Sequence, residues 1–257
     1  MNTSLPQKCF ISHSYADAAA LDRLTISLPK GVSPVVFPPI QAKPHEFVST
    51  PLIESILGCE GLIYFRGGAS DKSFWVAFER DYALRSGKRV FCYYLASSEL
   101  SPDNDRPLDL AIFASYHRDD RVRVRRICHF LRQERNFDVW LDVEDISSGG
   151  LWEKQIEEGL ADRVARGYAI AFWSHSASQA DWIEKELATA AAGIDRLNDR
   201  VLFGLLEPCP VPEFWLRFHE PYVQLYGDRD RPESHRMDDL MVRLYWLIYR
   251  KTKSADA

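Results

Sequence analysis

The chain has 257 residues, of which 46% are hydrophobic and 27% charged, enough for one large domain or two small ones. Its formal net charge of −5 provides no basic excess, so we expect neither nucleic acid nor an anionic membrane as a partner. Five cysteines without a CxxC pair argue against a disulfide framework or a cysteine zinc site and suit a reducing cytoplasm.

Short apolar runs bounded by turn residues predict buried strands in the first hundred residues. These runs are KCFIS (8–12), SPVVF (33–37), GLIYF (61–65) and KRVFCYYL (88–95). Helical stretches lie between them, namely ALDRLTISL (20–28), TPLIESIL (50–57) and SFWVAFERDYAL (73–84). Strands that alternate with helices predict a parallel sheet covered by helices on both faces.

The hydrophilic stretch 97–107 contains two prolines and a single Leu, which predicts a linker. The alternation resumes after it. The predicted strands are LDLAIFAS (108–115), FDVWLD (137–142), GYAIAFW (167–173), RVLFGLLE (200–207) and PYVQLYG (221–227). The predicted helices are RVRVRRICHFLRQE (121–134), GLWEKQIEEGLA (150–161), WIEKELATAAAGIDRL (182–197) and a last one around 235–250.

The two halves repeat each other in order. FISHSYAD (10–17) corresponds to FASYHRDD (113–120), and the Trp–Glu pair at 75 and 79 corresponds to the pair at 182 and 186. We therefore predict two tandem domains, a truncated first repeat at 1–96 and a complete second repeat at 108–257. The second sheet should be longer by one strand.

Ligands bind beyond the carboxyl ends of the strands in open parallel sheets, so the residues that follow each strand are the candidate site. In the second repeat the candidate substrate-binding residues are Ser115, Tyr116, His117, Arg118, Asp142, Gly149, Ser174 and Trp182. A glycine-containing loop, an arginine and a hydroxyl-rich helix start suit phosphates, and an indole suits a base or a nicotinamide ring. Simpler roles remain open: Arg118 could begin a basic helix, Asp142 could cap its loop, and His117 could be a surface residue.

The paired Trp and Glu residues could form part of a substrate site or could have a structural role. Positions i and i+4 share one face of a helix, which places Trp75 beside Glu79 and Trp182 beside Glu186. In the structural role, the indole would lie at the edge of the core and the carboxylate would be solvated.

The arginine run RVRVRR (121–126) is interpreted as a solvated helix face rather than a nucleic-acid patch, because acidic residues surround it. We find no metal-ligand spacing.

Several of these stretches together resemble the Toll/interleukin-1 receptor (TIR) domain family. The first family box is found as FISHSYAD and again as FASYHRDD. The second is VWLDVEDISSGGLWEKQIEEGL (139–160), which is similar to the TIR strand, its BB loop and the next helix. The third is the Ser-rich turn that leads to W-x-x-x-E in SHSASQADWIEKE (174–186). The resemblance implies two flavodoxin-like α/β domains with parallel sheets.

The resemblance also implies two functional classes. Some TIR domains are adaptors that assemble with other TIR domains, and others cleave NAD at the nicotinamide–ribose bond. In the second class the Glu of W-x-x-x-E is catalytic, which here assigns Glu186, with Glu79 as the second candidate and Trp75 as a further substrate contact. We expect an NAD-cleaving enzyme of bacterial antiphage defence that acts by hydrolysis or cyclisation, with NAD as substrate and no cofactor or metal. A non-enzymatic TIR adaptor or mimic is the alternative.

The resemblance implies self-association through TIR domains, into a homo-oligomer or filament, and a downstream effector that senses the product. The N-terminus lacks the apolar core of a signal peptide. No uncharged apolar run approaches the roughly 18 residues of a spanning helix. We therefore expect a cytoplasmic protein.

Overall fold

The computed structural model describes residues 4–38, 49–108, 111–141, 168–179, 201–211, 222–227 and 232–255. The chain forms two compact units, Met1–Leu108 and Asp109–Ala257, which we call unit one and unit two.

Unit one is built on a five-stranded sheet. Its strands are β1 (Lys8–Ser12), β2 (Ser33–Val36), β3 (Gly61–Arg66), β4 (Arg89–Tyr94) and β5 (Glu99–Pro102). Its helices are α1 (Ala19–Ser27), α2 (Ser49–Leu57) and α3 (Phe74–Arg85). The order across the sheet is β2-β1-β3-β4-β5, with the first four strands parallel and β5 antiparallel to β4.

The stretch 97–107 differs from the expected linker because part of it is strand β5. The chain turns back after β4, with Ser98 at φ 58° and its amide donating to the Tyr94 carbonyl over 2.8 Å. Leu100 then packs against the core of unit one. Pairing with β5 gives the open edge of β4 its hydrogen bonds. The stretch 97–107 is polar and has no apolar periodicity, so this strand is not predicted by the sequence.

The segment after β5 is tied to helix α3 by ion pairs. Arg80 contacts Asp103 at 2.6 Å and Asp105 at 2.5 Å, and the Asp81 carboxylate accepts from the Leu108 amide over 2.5 Å. Unit one therefore completes its own sheet edge with strand β5.

Unit two carries the second sheet. Its strands are β6 (Ala111–Ser115), β7 (Asp138–Leu141), β8 (Tyr168–Trp173), β9 (Val201–Leu205) and β10 (Val223–Gln224). Its described helices are α4 (Arg121–Arg135), α5 (His175–Ser178) and α6 (Glu233–Ala255). The order is β10-β9-β8-β6-β7 with every pair parallel, which is the strand order of a flavodoxin-like sheet.

The predicted fold class is confirmed, with two parallel-rich sheets and helices between the strands. The last helix and the fifth strand of the second repeat are also observed, as α6 and β10. Each sheet has five strands in the described part of the chain, so the second is not longer by one. The predicted helices 150–161 and 182–197 and the loop between 142 and 150 lie outside the described residues.

The sequence explains why the central strands lie where they do. All six residues of β8, YAIAFW, are buried, as expected of a strand covered by layers on both faces. Strand β7 is buried along Val139–Leu141, whereas its counterpart β2 is partly exposed and Val36 is 41% accessible. The second strand of unit two is thus better covered than that of unit one.

The arginines of α4 are largely engaged within unit two. Arg123 donates to the carbonyls of Leu206 and Leu225 at the ends of neighbouring strands. Arg135 contacts the buried Asp238 at 2.8 Å, and Arg126 contacts Glu233 at 2.5 Å. These bonds hold α4 against α6 and the strand ends. Arg123 therefore departs from the predicted solvated helix face, whereas Arg125 and Arg126 are exposed as predicted.

Candidate functional site

The carboxyl ends of β1 and β3 form the rim of unit one, and α3 rises beside them. Ser73 caps α3 by accepting from the Val76 amide at 3.4 Å, so the helix begins at Phe74. Trp75 and Glu79 follow one turn apart and line the same cleft. The predicted pairing of indole and carboxyl is therefore present in unit one.

The cleft has a volume of about 150 Å³. Five aromatic residues line it together with Glu79, namely Phe10, His13, Tyr15, Phe37 and Trp75. Typical sites for drug-sized ligands occupy roughly 300–1,000 Å³. The cleft of unit one therefore has room for a single ring rather than for a whole dinucleotide.

Glu79 is 6% exposed, and its burial raises the pKa of the carboxyl to about 8. The side chain of Ser12, at the end of β1, favours the charged form and opposes that shift. Ser12 Oγ is itself buried and makes no hydrogen bond of normal geometry, so it stabilises the charged form of Glu79 only weakly. Glu79 is consequently protonated at neutral pH in the ligand-free cleft.

Two further titratable groups line the cleft. Burial lowers the pKa of His13, whose ring lies 5.4 Å from that of Phe65 and 6.0 Å from that of Tyr15. The pKa of Tyr15 is raised by burial and by the charge of Glu79, although the tyrosine is 49% exposed. At neutral pH the cleft of unit one therefore carries little charge.

Asp17 fixes the loop that follows β3. Its carboxylate accepts from the Ser70 amide at 2.7 Å, the Ser70 hydroxyl at 2.6 Å and the Ala69 amide at 3.3 Å. A Cβ at Gly68, where φ is +62°, would lie 2.6 Å from Asp17 Oδ1, so this approach requires glycine. Successive loop amides of this kind form an anion-binding concavity, and here the anion is an internal carboxylate.

Unit two presents a comparable rim at the ends of β6 and β8. Ser115 and Tyr116 are buried, whereas Arg118 is exposed. His117 caps the following turn by accepting from the Asp119 amide at 3.3 Å. Of the four candidates after this strand, Arg118 alone presents an exposed charge at the rim.

Ser174 follows β8 directly and is engaged within the protein. It donates to Asp120 Oδ2 at 2.6 Å and, as the cap of α5, accepts from the Ala177 amide at 3.1 Å. The next amide, that of His175, donates to Glu207 at 2.7 Å. Burial raises the pKa of Asp120, and the neighbouring Glu207 adds to that effect. Ser174 thus ties the loops after β6 and β8 together.

A TIR domain family model matches residues 112–241, just over half of the 257 residues. The chain belongs to the TIR domain family. The matched region lies within unit two.

A solved structure also matches this TIR protein. It is the crystal structure of the TIR domain of the Toll-related receptor TRR-2 from Hydra magnipapillata, with 20% sequence identity. The match covers 43% of this chain and 80% of that one, with a TM-score of 0.35. A comparison with curated proteins finds no match.

The structure describes only part of the predicted TIR site. Trp75 and Glu79 lie together in unit one, and Ser115, Tyr116, His117, Arg118 and Ser174 lie at one rim of unit two. Asp142, Gly149, Trp182 and the catalytic candidate Glu186 lie outside the described residues.

Asp17, Asp120 and Glu207 are site residues that the sequence reasoning missed. Asp17 and Asp120 occupy the same place in the repeated first box, and this shared position is the signal that could have found them. Glu207 has no such signal, because its partner lies 32 residues away in sequence.

Two properties of the described residues bear on partners. They contain no group of three or more His, Cys, Asp or Glu residues that could hold a metal ion. None of the helices among them is long and apolar enough to cross a bilayer.

Proposed function

We propose that this TIR protein cleaves NAD at the nicotinamide–ribose bond, with Glu186 of unit two as the catalytic carboxylate. The observation that carries the proposal is the Trp75–Glu79 arrangement, an indole and a carboxyl on one helix face in a cleft at the strand ends. Unit two repeats this spacing at Trp182 and Glu186 inside the region that matches the TIR family. We infer that Trp182 and Glu186 likewise share one face of a helix, with the carboxylate beside the indole.

The chemistry suits one carboxylate and one indole. When the bond breaks, its electron pair leaves with the nicotinamide, which becomes neutral and needs no general acid. The ribose then carries positive charge, as in glycoside cleavage, and a nearby carboxylate stabilises it. An indole packs against the flat leaving ring. Water that captures the ribosyl cation gives hydrolysis, and an internal nucleophile of the ADP-ribose part gives cyclisation.

The electrostatics of unit one support the assignment of catalysis to unit two. A carboxyl with a pKa of about 8 is mostly neutral at physiological pH, and a neutral group stabilises a cation poorly. The small cleft and the internal anion Asp17 also suit unit one badly for the phosphates of NAD. We propose that unit one is a degenerate partner domain that does not cleave NAD.

The test is the release of nicotinamide from NAD by the full chain, followed by chromatography. Cleavage by the wild-type protein and its loss in Glu186→Gln would support the proposal. Analysis of the sugar product separates hydrolysis from cyclisation. A correctly folded protein that releases no nicotinamide over a wide range of concentration would instead favour the adaptor function.

We further propose that the protein acts in the cytoplasm in bacterial antiphage defence and self-associates through its TIR domains. If neighbouring chains complete each other's pockets, activity should rise faster than linearly with protein concentration. A dilution series with simultaneous light scattering measures both quantities. Strict proportionality would argue for a self-sufficient monomer.

A further inference from the structure

The outer side of α4 carries a hollow that the proposed reaction does not use. It has a volume of about 320 Å³, and it is lined by Arg125, Arg126, His129, Arg132 and Gln133. Sites for small molecules occupy roughly 300–1,000 Å³, so the hollow is large enough to hold one. Every lining side chain is polar and three of the five are arginines, which suits an anion.

The period of the helix explains why these side chains lie together. The buried residues of α4 recur at intervals of three or four and attach it to the sheet, namely Val124, Ile127, Cys128 and Leu131. Arg125, His129 and Gln133 follow one another at intervals of four, so they share one face of the helix. All three are exposed, and this face is therefore open to a ligand from solvent.

Two of the arginines are held in place by bonds within unit two. Arg126 contacts Glu233 at 2.5 Å while its side chain remains 63% exposed, and Arg132 Nε donates to the Val139 carbonyl over 2.6 Å. A guanidinium presents five donors in a rigid fork, so an arginine that is held by one bond can also bind an anion. Holding the side chains in advance lowers the entropy cost of binding.

The charge of α4 differs in sign from that of the whole chain. The helix contains six arginines and one glutamate, a net charge of +5, whereas the chain has a net charge of −5. Like charges that line one hollow repel each other, and an anion bound among them removes that repulsion. The electrostatics of this face therefore favour an anionic ligand.

Acidic residues limit the length of that ligand. Asp119 and Asp120 directly precede α4, Glu134 directly follows the last residue of the hollow, and Glu233 lies against Arg126. A long polyanion such as duplex DNA would meet these carboxylates, whereas a compact anion would not. The face therefore suits a small molecule better than a nucleic acid.

We propose that this hollow binds a small molecule with two linked phosphates, such as a nucleoside diphosphate. Arg125 and Arg132 are seven residues apart, roughly 10 Å along the helix axis, and His129 lies between them. Donors spread over this length match two linked phosphates better than one. The guanidinium groups bind phosphate oxygens through parallel N–H bonds, and Gln133 adds an amide donor.

The diphosphate group has two sources. Free nucleotides such as ADP end in it, whereas NAD and ADP-ribose carry it internally. A terminal diphosphate bears more negative charge than an internal one, so ADP should bind more tightly than ADP-ribose. The reverse order would assign the site to NAD and its products, and either order agrees with a diphosphate site.

The experiment measures binding without NAD cleavage, so its result is independent of the proposed function. Calorimetric titration of the full chain with inorganic pyrophosphate should show saturable binding that weakens as NaCl is added. Inorganic phosphate should bind at least about tenfold more weakly, because it fills half of the donor set. Equal binding of phosphate and pyrophosphate would overturn the proposal, and so would tighter binding of a short DNA duplex or an acidic peptide than of ADP.

Variants locate the site on α4. Arg125→Gln should weaken the binding of pyrophosphate by at least about tenfold, since it removes a charged donor. Arg23→Gln, on an exposed arginine of α1, is the matched control and should bind as wild type does. Arg118→Gln changes the rim of unit two and should also retain binding.

Two results would contradict this location. One is unchanged binding in folded Arg125→Gln, and the other is a greater loss in Arg118→Gln than in Arg125→Gln, which would move the ligand to the rim. The folding of each variant is checked by its melting transition. If Arg125→Gln does not fold, His129→Gln takes its place, with loss expected and full retention overturning the proposal.

Discussion

The rims of the two units share one hydrogen bond of an equivalent aspartate and differ in its others. Asp17 in unit one accepts from the Ser70 hydroxyl, and Asp120 in unit two accepts from the Ser174 hydroxyl, each at 2.6 Å. Asp17 also accepts from the amides of Ala69 and Ser70, and so fills a concavity suited to an anion. The equivalent position therefore makes the same link to a serine in both repeats, and the loop amides give the carboxylate of unit one a second role.

The remaining differences assign cleavage to unit two. Unit one has an internal anion on its loop amides, a small cleft and a carboxyl that is neutral at pH 7. Unit two has an exposed Arg118 at the rim. The comparison therefore predicts that substitutions in unit two affect NAD cleavage and that those in unit one mainly affect stability.

The largest effect should come from Glu186→Gln, which keeps size and hydrogen bonding but removes the charge. Loss of a transition-state electrostatic contact costs roughly 10²–10³ in kcat, with KM changed much less. Initial rates of nicotinamide release measure both constants. Glu184→Gln, two residues earlier, is the matched control and should remain near the wild-type rate. A wild-type rate in folded Glu186→Gln would exclude Glu186 as the catalyst.

Stability against pH should distinguish Glu79 from an ordinary surface carboxylate. The pKa of Glu79 is raised from 4.5 to about 8, so the folded state keeps a proton that the unfolded state releases. This contribution to stability is present below pH 4.5 and is lost as the pH rises towards 8. Glu79→Gln, which cannot titrate, should be more stable than wild type by roughly 2–4 kcal/mol at pH 9 and about equal to it at pH 5.

Urea unfolding at the two pH values measures this difference. The control is Glu54→Gln, whose carboxylate is exposed on α2. A stability difference between Glu79→Gln and wild type that does not change with pH would mean that Glu79 is charged in the folded protein.

The smaller structural effect should come from the serine of unit two. Ser174→Ala removes the cap of α5 and the partner of Asp120, which should lower the free energy of unfolding by roughly 1–2 kcal/mol. NAD cleavage should also fall, and Ser174→Thr, which keeps the hydroxyl, should restore much of both. The control is Ser178→Ala, because the Ser178 hydroxyl bonds only locally to the His175 carbonyl at 2.8 Å. Equal losses in the two alanine variants would remove the special role of Ser174.

Much of the fold could be predicted from hydrophobic patterns alone. Strands β1 and β8 are short apolar runs whose side chains need burial on both faces of the sheet, and a parallel sheet between two helical layers provides that burial. Strand β5 could not be predicted in this way, since its sequence is polar and its pairing depends on the open edge of β4. The free edge of β4 in the folded unit, and not a local conformational preference of residues 99–102, therefore determines where strand β5 forms.

The candidate site shows the same limit. Spacing alone places Trp75 and Glu79 on one helix face, but it does not show how deeply either side chain is buried. Burial beside β1 makes the Glu79 carboxyl neutral, and this depends on packing across the unit. The roles of Asp17 and Asp120 likewise depend on which loop lies opposite each carboxylate.

The smallest effect is the most direct test of the comparison. Glu79→Gln should change NAD cleavage less than about twofold at pH 7, because the wild-type carboxyl is already neutral there and a neutral group contributes little to stabilising a cation. The rates of Glu79→Gln and Glu186→Gln are measured side by side, at pH 7 and again at pH 9, where Glu79 is ionised. If ionised Glu79 can catalyse cleavage, the wild-type rate should exceed the Glu79→Gln rate at pH 9 but not at pH 7. Unit one would then be a second active site. If Glu79→Gln loses as much as Glu186→Gln at pH 7, Glu79 also takes part in cleavage, and the assignment of cleavage to unit two alone is wrong.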